Sequence, residues 1–140
     1  MIARPARSAM TPYFLLCAER AARTTEGSFI LHGILERVNA KEVPTPEAPL
    51  TMPTMSVAFE IRDADATKAH ALRVRLTHRE TEASLFDHAF TVEASNDPAN
   101  KISGLMNFHL FPIKALGCYE VSVDVDGEAV AKNCFFVVKQ

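Results

Sequence analysis

The sequence predicts an all-β chain that folds as a single antiparallel β-sandwich of immunoglobulin-like or Greek-key type. In its last quarter, apolar and polar residues alternate from Tyr119 to Val125, the pair Asp126-Gly127 follows, and a second apolar run extends from Cys134 to Val138. Alternation broken by Asp-Gly predicts a β-hairpin, because glycine accepts the positive φ of a tight turn. Short apolar segments separated by turn residues recur through the rest of the chain, and such spacing is typical of β-sandwiches.

About eight strands are predicted, each a short apolar or alternating segment between charged or turn-forming residues. The fourth has the clearest pattern outside the hairpin, because Leu72, Val74 and Leu76 share one face while Arg73 and Arg75 share the other. Residues 18–23 have a helix-like composition but are too few to form a stable helix. In chain order, the predicted strands cover residues 12–18, 28–35, 53–61, 70–77, 85–92, 104–111, 119–125 and 134–138.

Length and composition predict one domain. The chain has 140 residues, of which 48% are hydrophobic and 23% charged, and a domain of about this size buries enough surface to fold without disulfides or metals. We expect residues 12–140 to form the β-sandwich and residues 1–11 to form a flexible N-terminal tail. The net charge of −2 predicts no bulk attraction to nucleic acid or to an anionic membrane surface.

Two features predict a cytoplasmic location. The apolar run from Tyr13 to Ala18 is too short for a signal peptide or a membrane span, and Glu19-Arg20 ends it. The three cysteines are an odd number without metal-binding spacing, which fits a reducing compartment better than a disulfide scaffold.

The register of the hairpin bears on the last two cysteines. A two-residue turn places Val125 opposite Glu128, and therefore places Cys118 opposite Phe135. Cys118 and Cys134 are then not expected to form a disulfide, and a bulge would still leave them diagonal to each other.

The order of several segments resembles a family of small uncharacterised bacterial proteins. The resemblance rests on residues 15–19 (LLCAE), residues 27–34 (GSFILHGI), a proline-rich loop, and the alternating run from Gly117 to Gly127. Members of that family typically open with an Asp-Ala-rich strand, a Gly-Lys turn and an Ile-x-Gly-Gly-like strand, whereas this chain has Ala18-Glu19 and Gly27-Ser28 at the first two places. The resemblance implies a β-sandwich with no assigned activity, so it supplies no catalytic residue.

The sequence contains no motif that predicts catalysis or a cofactor. It has no phosphate-binding glycine loop, no G-x-S-x-G, no C-x-x-C and no H-E-x-x-H. We therefore predict no catalytic residue and no cofactor, and these absences favour a protein that is not an enzyme. His32 and His109 could together hold a metal only if their strands were neighbours, and no third ligand is fixed by spacing.

Acidic loops offer a possible calcium site. If the strands alternate in direction, the loops after the odd-numbered predicted strands share one end of the domain. That end would gather Asp63, Asp65, Asp97 and Asp126, and calcium is held in proteins by six to eight such oxygen ligands. The simpler interpretation is that these residues serve only the loops, because Asp is a common turn former.

The opposite end would hold the connection from Val38 to Met52, together with residues 78–84 and 112–117. Proline fixes φ and lowers the entropy of a long loop, so this connection can present apolar side chains as a docking surface. The simpler interpretation is that it wraps the edge of the sandwich and covers an otherwise open strand. The predicted interaction loop comprises Val43, Pro44, Pro46, Pro49, Leu50 and Met52.

Tyr119 follows Gly117 by two residues at the start of a late strand, which predicts a tyrosine corner, a buried tyrosine whose hydroxyl binds nearby backbone. Together these features favour a non-catalytic interaction module that binds an unknown protein or a second copy of itself. The alternative is a calcium-dependent ligand-binding or hydrolytic domain that uses the acidic loops.

Overall fold

A computed structural model describes residues 10–140, which form nine strands and no helix. The predicted flexible tail falls mostly on residues 1–9, which lie outside the described residues. The all-β prediction is confirmed, with one strand more than the eight expected. Within the described range, no helix is long and apolar enough to cross a membrane. The strands are β1 (Thr11–Arg23), β2 (Phe29–Ile34), β3 (Arg37–Ala40), β4 (Leu50–Arg62), β5 (His70–His78), β6 (Ala83–Val92), β7 (Lys101–Ile113), β8 (Gly117–Val125) and β9 (Glu128–Lys139).

The strands form two sheets. The four-stranded sheet has the order β2-β1-β4-β7, and the five-stranded sheet has the order β3-β9-β8-β5-β6. All strand pairs are antiparallel except β3 and β9, which run parallel, so the prediction of a purely antiparallel fold is wrong at this pair. Strand β3 is the strand that the sequence pattern did not predict. Its four residues show no alternation and include only one half-buried large apolar side chain, Val38.

One hydrophobic core lies between the sheets. Val57 and Phe59 of β4 and Leu76 and Val121 of the other sheet are almost fully buried, and each large apolar side chain contributes roughly 1.5–3 kcal/mol. Gly104 of β7 lies opposite Phe59, and a Cβ at Gly104 would overlap the Phe59 ring. The glycine therefore leaves the room that the aromatic ring fills.

The predicted hairpin between β8 and β9 is confirmed. Val125 pairs with Glu128, and the two residues between them have positive φ, 52° at Asp126 and 81° at Gly127. These values are those of a two-residue type I′ turn, whose twist matches that of the flanking strands.

A bulge between Val123 and Asp124 shifts the register of this hairpin. Cys118 consequently lies opposite Phe136, and the predicted pairing with Phe135 is wrong. Cys134 lies opposite Glu120, so the two cysteines are diagonal, and none of the three cysteines forms a disulfide.

The hairpin of β1 and β2 folds back over the outer face of the four-stranded sheet. Phe29 near its tip contacts Phe14 with ring centroids 5.4 Å apart, and Arg23 Nη1 donates a hydrogen bond of 3.1 Å to Ser103 Oγ of β7. A flat hairpin could not make these contacts, because strands extend about 3.3 Å per residue. We call residues 20–32 the arm. The arm covers the outer face of the sheet, and Ala58 of β4 is therefore completely buried there.

Candidate functional site

The clearest candidate site is a cavity of about 490 Å³ at one end of the two sheets. It is built by the three connections that the sequence predicted at one end: the proline-rich loop before β4, the turn between β5 and β6, and the connection between β7 and β8. That grouping is confirmed. A concave, largely apolar cavity of this size is the usual form of a binding site in proteins. The lining residues are Pro46, His78, Thr81, Ala83, Ser84, Leu85, Phe111, Pro112, Lys114, Ala115 and Tyr119.

His78, the last residue of β5, fixes one wall of the cavity. It is buried, its Nδ1 lies 2.7 Å from Thr81 Oγ1, and its Nε2 lies 2.8 Å from the carbonyl oxygen of Leu116. A carbonyl can only accept, so Nε2 is the donor in that bond. His78 thus joins the β5–β6 turn to the β7–β8 connection.

Tyr119 fixes the floor and confirms the predicted tyrosine corner. It is 1% exposed, and its hydroxyl donates a hydrogen bond of 2.6 Å to the carbonyl oxygen of Ala115. Its ring stacks on Phe135 at 5.4 Å and contacts His78 at 4.9 Å. Burial raises the pKa of Tyr119, so the hydroxyl stays protonated and serves as a structural donor.

The carboxylate of Glu80 is also used structurally. Both of its oxygens accept from the backbone N–H of Cys118, at 3.0 and 3.2 Å, and one lies 3.3 Å from His78 Nε2. The hydrogen bond from Cys118 lowers the pKa of Glu80 and keeps it ionised. The same carboxylate lies against Gly117, whose φ of 130° suits glycine.

Lys114 carries the only formal charge among the residues that line the cavity, leaving the histidine aside. It is exposed, and it forms no ion pair with any residue in the range 10–140. The cavity therefore combines apolar walls with one cation whose charge the described chain does not neutralise.

The predicted interaction loop divides between surface and core. Val43 is 51% exposed, Pro46 lines the cavity, and Pro49 is exposed. The remaining three residues face inward: Pro44 and Met52 are buried, and Leu50 is half-buried against the core. Only the exposed three could contact a partner in this arrangement.

An apolar seam continues from the cavity between the edge strands β6 and β7. Phe86 of β6 stacks on Phe108 of β7 with centroids 4.6 Å apart, and Phe111 contacts both rings. Leu110 is 72% exposed and has a φ of 53°, which costs an ordinary residue about 1–2 kcal/mol. Leu110 lies opposite Pro53, where the pairing of β4 with β7 is interrupted. Proline has no N–H to donate to the hydrogen bonds between the two strands.

The acidic loops do meet at the other end of the sheets. Ala64 N donates to Asn100 O at 3.0 Å, and Ser95 N donates to Ala66 O at 2.6 Å, which joins the β4–β5 and β6–β7 loops. The β8–β9 turn is joined to them through His70. We call these three connections, residues 63–69, 93–100 and 126–127, the acidic loop end.

His70 clamps the acidic loop end. Its Nδ1 lies 2.7 Å from Asp126 Oδ2 and its Nε2 lies 2.9 Å from the carbonyl oxygen of Asp65. Burial lowers the pKa of His70, but the hydrogen bonds with Asp126 and Asp65 raise it by more, so the net pKa lies above its ordinary value. The hydrogen bond from His70 lowers the pKa of Asp126 in turn. Both nitrogens of His70 face acceptor oxygens, so the geometry suits an imidazolium that donates to a carboxylate and to a carbonyl.

The four carboxylates proposed for calcium already have protein partners. Asp63 accepts from Thr11, Asp65 from Thr67, Asp97 from the N–H of Ala99, and Asp126 from His70 and from the N–H of Ala71. Between residues 10 and 140 there is no group of three or more His, Cys, Asp or Glu side chains placed to hold a metal ion. Calcium binding stays a prediction, without a coordination set in this geometry.

A second depression, of about 470 Å³, lies beneath the arm on the four-stranded sheet. His32 and His109 both line it, although their strands, β2 and β7, are the opposite edges of the sheet and not neighbours as a shared metal site would need. The folding of the arm brings them to one groove. Its lining residues are Arg20, Ala21, Ala22, Ile30, His32, Thr54, Ser56, Asn107, Phe108 and His109.

Sequence reasoning did not identify His70, His78 or Lys114 as site residues. The two histidines begin and end β5, so their positions at the strand boundaries carried a weak signal of loop anchoring. No sequence signal marked Lys114, because its position at the cavity depends on how distant segments of the chain pack.

The comparisons with known proteins bear on fold and family. No curated protein matches the sequence. The chain is similar to the structure of Pseudomonas fluorescens alkylpurine DNA glycosylase AlkC bound to DNA containing an abasic site analog, with a TM-score of 0.51 and 14% identity. The match covers 95% of this chain and 31% of that chain, so this chain spans about a third of that protein. At this identity the likeness shows the fold alone.

A family model described as a family of unknown function, DUF6941, matches residues 12–138.

Proposed function

We propose that this chain, which belongs to the DUF6941 family of unknown function, is a non-catalytic immunoglobulin-like β-sandwich module that binds a partner protein. The binding site is the cavity lined by Pro46, His78 and Lys114, opposite the acidic loop end, which we call the loop-end cavity. The observation that carries the proposal is the cavity itself: three connections surround a largely apolar space of about 490 Å³, and at its wall lies Lys114, which forms no ion pair within residues 10–140. A protein partner would fill this space with an apolar side chain and place a carboxylate near Lys114.

The strand arrangement supports the immunoglobulin-like assignment. In that fold two sheets pack over a shared core, with strands A, B, E and D in one sheet and C, F and G in the other. Strands β4, β5, β7, β8 and β9 are connected as strands B, C, E, F and G are, and Tyr119 takes the place of the tyrosine corner near the start of strand F.

The polar groups near the cavity already form hydrogen bonds within the protein, which supports a non-catalytic role. General acid–base catalysis needs a side chain that can exchange a proton with a substrate. Lys114 is the exposed cation assigned above to a partner carboxylate. His78, Tyr119 and Glu80, the other titratable groups at or beside the cavity, are each held in hydrogen bonds that position backbone. These bonds give the cavity rigid walls, which lowers the entropic cost of binding.

The proposal further assigns the module to the cytoplasm and its partner to proteins. The free cysteines fit a reducing compartment, and a net charge of −2 disfavours nucleic acid and anionic membrane as the main partner. A second copy of the chain is a distinct outcome, which the experiment below separates from a different protein by mass.

Site-specific photo-crosslinking in the native host tests this function. A photoreactive phenylalanine analogue would replace Ala83, an exposed residue on the cavity rim, and in a matched strain would replace Ala129, an exposed strand residue near the opposite end. We expect one dominant crosslinked protein from position 83 and none of that mass from position 129. Equal crosslinking from both positions, or none from position 83, would refute the cavity as the binding site.

A further inference from the structure

We propose that the groove beneath the arm is a binding site for a small phosphorylated molecule, held by Arg20, His32 and His109. This site is separate from the loop-end cavity, and the argument for it does not depend on the proposed function. The groove is suited to such a ligand by its hydrogen-bonding groups, its charge and its size.

The polar groups of the groove are mainly donors. Arg20 presents a guanidinium, and His32 and His109 each present an imidazole. Ser56 Oγ donates to Asn107 Oδ1 at 2.6 Å, which leaves the amide N–H groups of Asn107 available to a ligand. Phosphate oxygens only accept, and guanidinium groups bind them with charge-assisted hydrogen bonds.

The charge of the groove differs from that of the chain. The whole chain has a net charge of −2, yet no Asp or Glu lines the groove. Arg20, His32 and His109 form no ion pair within residues 10–140. The carboxylate next to Arg20 in sequence, Glu19, lies instead against Gly33. An anion would therefore neutralise Arg20, whose charge is left unpaired within residues 10–140, and could accept hydrogen bonds from the two imidazoles.

The size of the groove favours a small ligand over a long polyanion. The arm covers one side, and the hydroxyl of Thr54 ties its base to β4 by donating to the carbonyl oxygen of Glu19 at 2.7 Å. The volume of about 470 Å³ is in the range of sites for small molecules. Ile30 and Phe108 add apolar contact for the body of the ligand.

Nuclear magnetic resonance titration of the full chain tests the proposal. Inorganic phosphate and adenosine monophosphate would be added to the wild type, to Arg20→Gln and to the control Arg37→Gln, whose arginine is exposed on β3 in the other sheet. We expect saturable shifts of His32, His109 and Asn107, tighter binding of the nucleotide than of phosphate, and affinity about fivefold weaker in Arg20→Gln only.

Two results would overturn the proposal. If millimolar phosphate and nucleotide leave the groove resonances unchanged, or shift them equally in Arg20→Gln, no anion site exists there. If a single-stranded oligothymidylate binds the groove more tightly than the nucleotide and loses that affinity in Arg20→Gln, the ligand is a nucleic acid and the small-molecule assignment is wrong.

Discussion

The clamp formed by His70 predicts that part of the stability of the fold disappears as the pH rises. The pKa of His70 is raised above its ordinary value of 6.5 in the folded chain, so the folded chain binds more protons than the unfolded chain in the window between the two values. Its contribution is fully present below the ordinary value and is lost as the pH rises through the folded value. The lowered pKa of Asp126 acts in the opposite direction, and its contribution is lost only as the pH falls below its ordinary value of 3.8.

The substitution His70→Gln removes the charge and one of the two hydrogen bonds. A hydrogen bond to a charged group contributes about 1.5–3 kcal/mol, and solvent at the half-exposed Asp126 favours the lower part of this range. We therefore expect His70→Gln to lower the free energy of unfolding by about 2 kcal/mol near pH 5.5 and by clearly less near pH 8.5.

Urea denaturation followed by circular dichroism at several pH values measures this difference, since the chain has no tryptophan. The matched control is His32→Gln, an exposed histidine on β2, which should change stability little at any pH. A loss in His70→Gln that stays constant across the pH range would refute the imidazolium clamp, even if the hydrogen bonds themselves contribute.

Three further outcomes are expected. Tyr119→Phe should lower the free energy of unfolding by about 1 kcal/mol and the melting temperature by about 4 °C, with partner binding retained; a binding loss without a stability loss would contradict its structural role. Gly104→Ala should destabilise by about 1–3 kcal/mol in the same assay, because the new methyl group overlaps the buried Phe59 ring, and an unchanged value would show that the ring can move. Millimolar calcium should leave the melting temperature unchanged, and a rise that Asp→Asn substitutions at the acidic loop end abolish would favour the calcium-dependent alternative.

Local patterns allowed most of the fold to be predicted. The turn at Asp126 and Gly127 was predictable because its two residues dictate the backbone conformation, and the alternation from Tyr119 onward fixed which side chains face the core. Strand β3 could not be predicted in this way, because it is stabilised by parallel pairing with β9, almost a hundred residues later in the chain. The bulge at Val123 was likewise invisible, and it shifted the position of Cys118 by one residue.

The candidate site was only partly predictable. Alternating strand direction was sufficient to bring the proline-rich loop, the β5–β6 turn and the β7–β8 connection to one end. It could not show that Pro44 and Met52 face inward or that Lys114 lines a cavity, since both depend on how distant segments pack. The arm is a similar case, because the contact of Phe14 with Phe29 follows from a fold-back that the sequence pattern does not signal.

Native mass spectrometry of the wild type and of Ala83→Phe, each purified gently from the native host, tests the central claim most directly. The phenylalanine would fill the rim of the cavity at an exposed strand position that tolerates it, and Ala129→Phe serves as the control. The account predicts a protein complex heavier than the 15.4 kDa chain for the wild type and for Ala129→Phe, and the bare chain for Ala83→Phe. The same complex in all three samples, or no bound protein in the wild type, would contradict it.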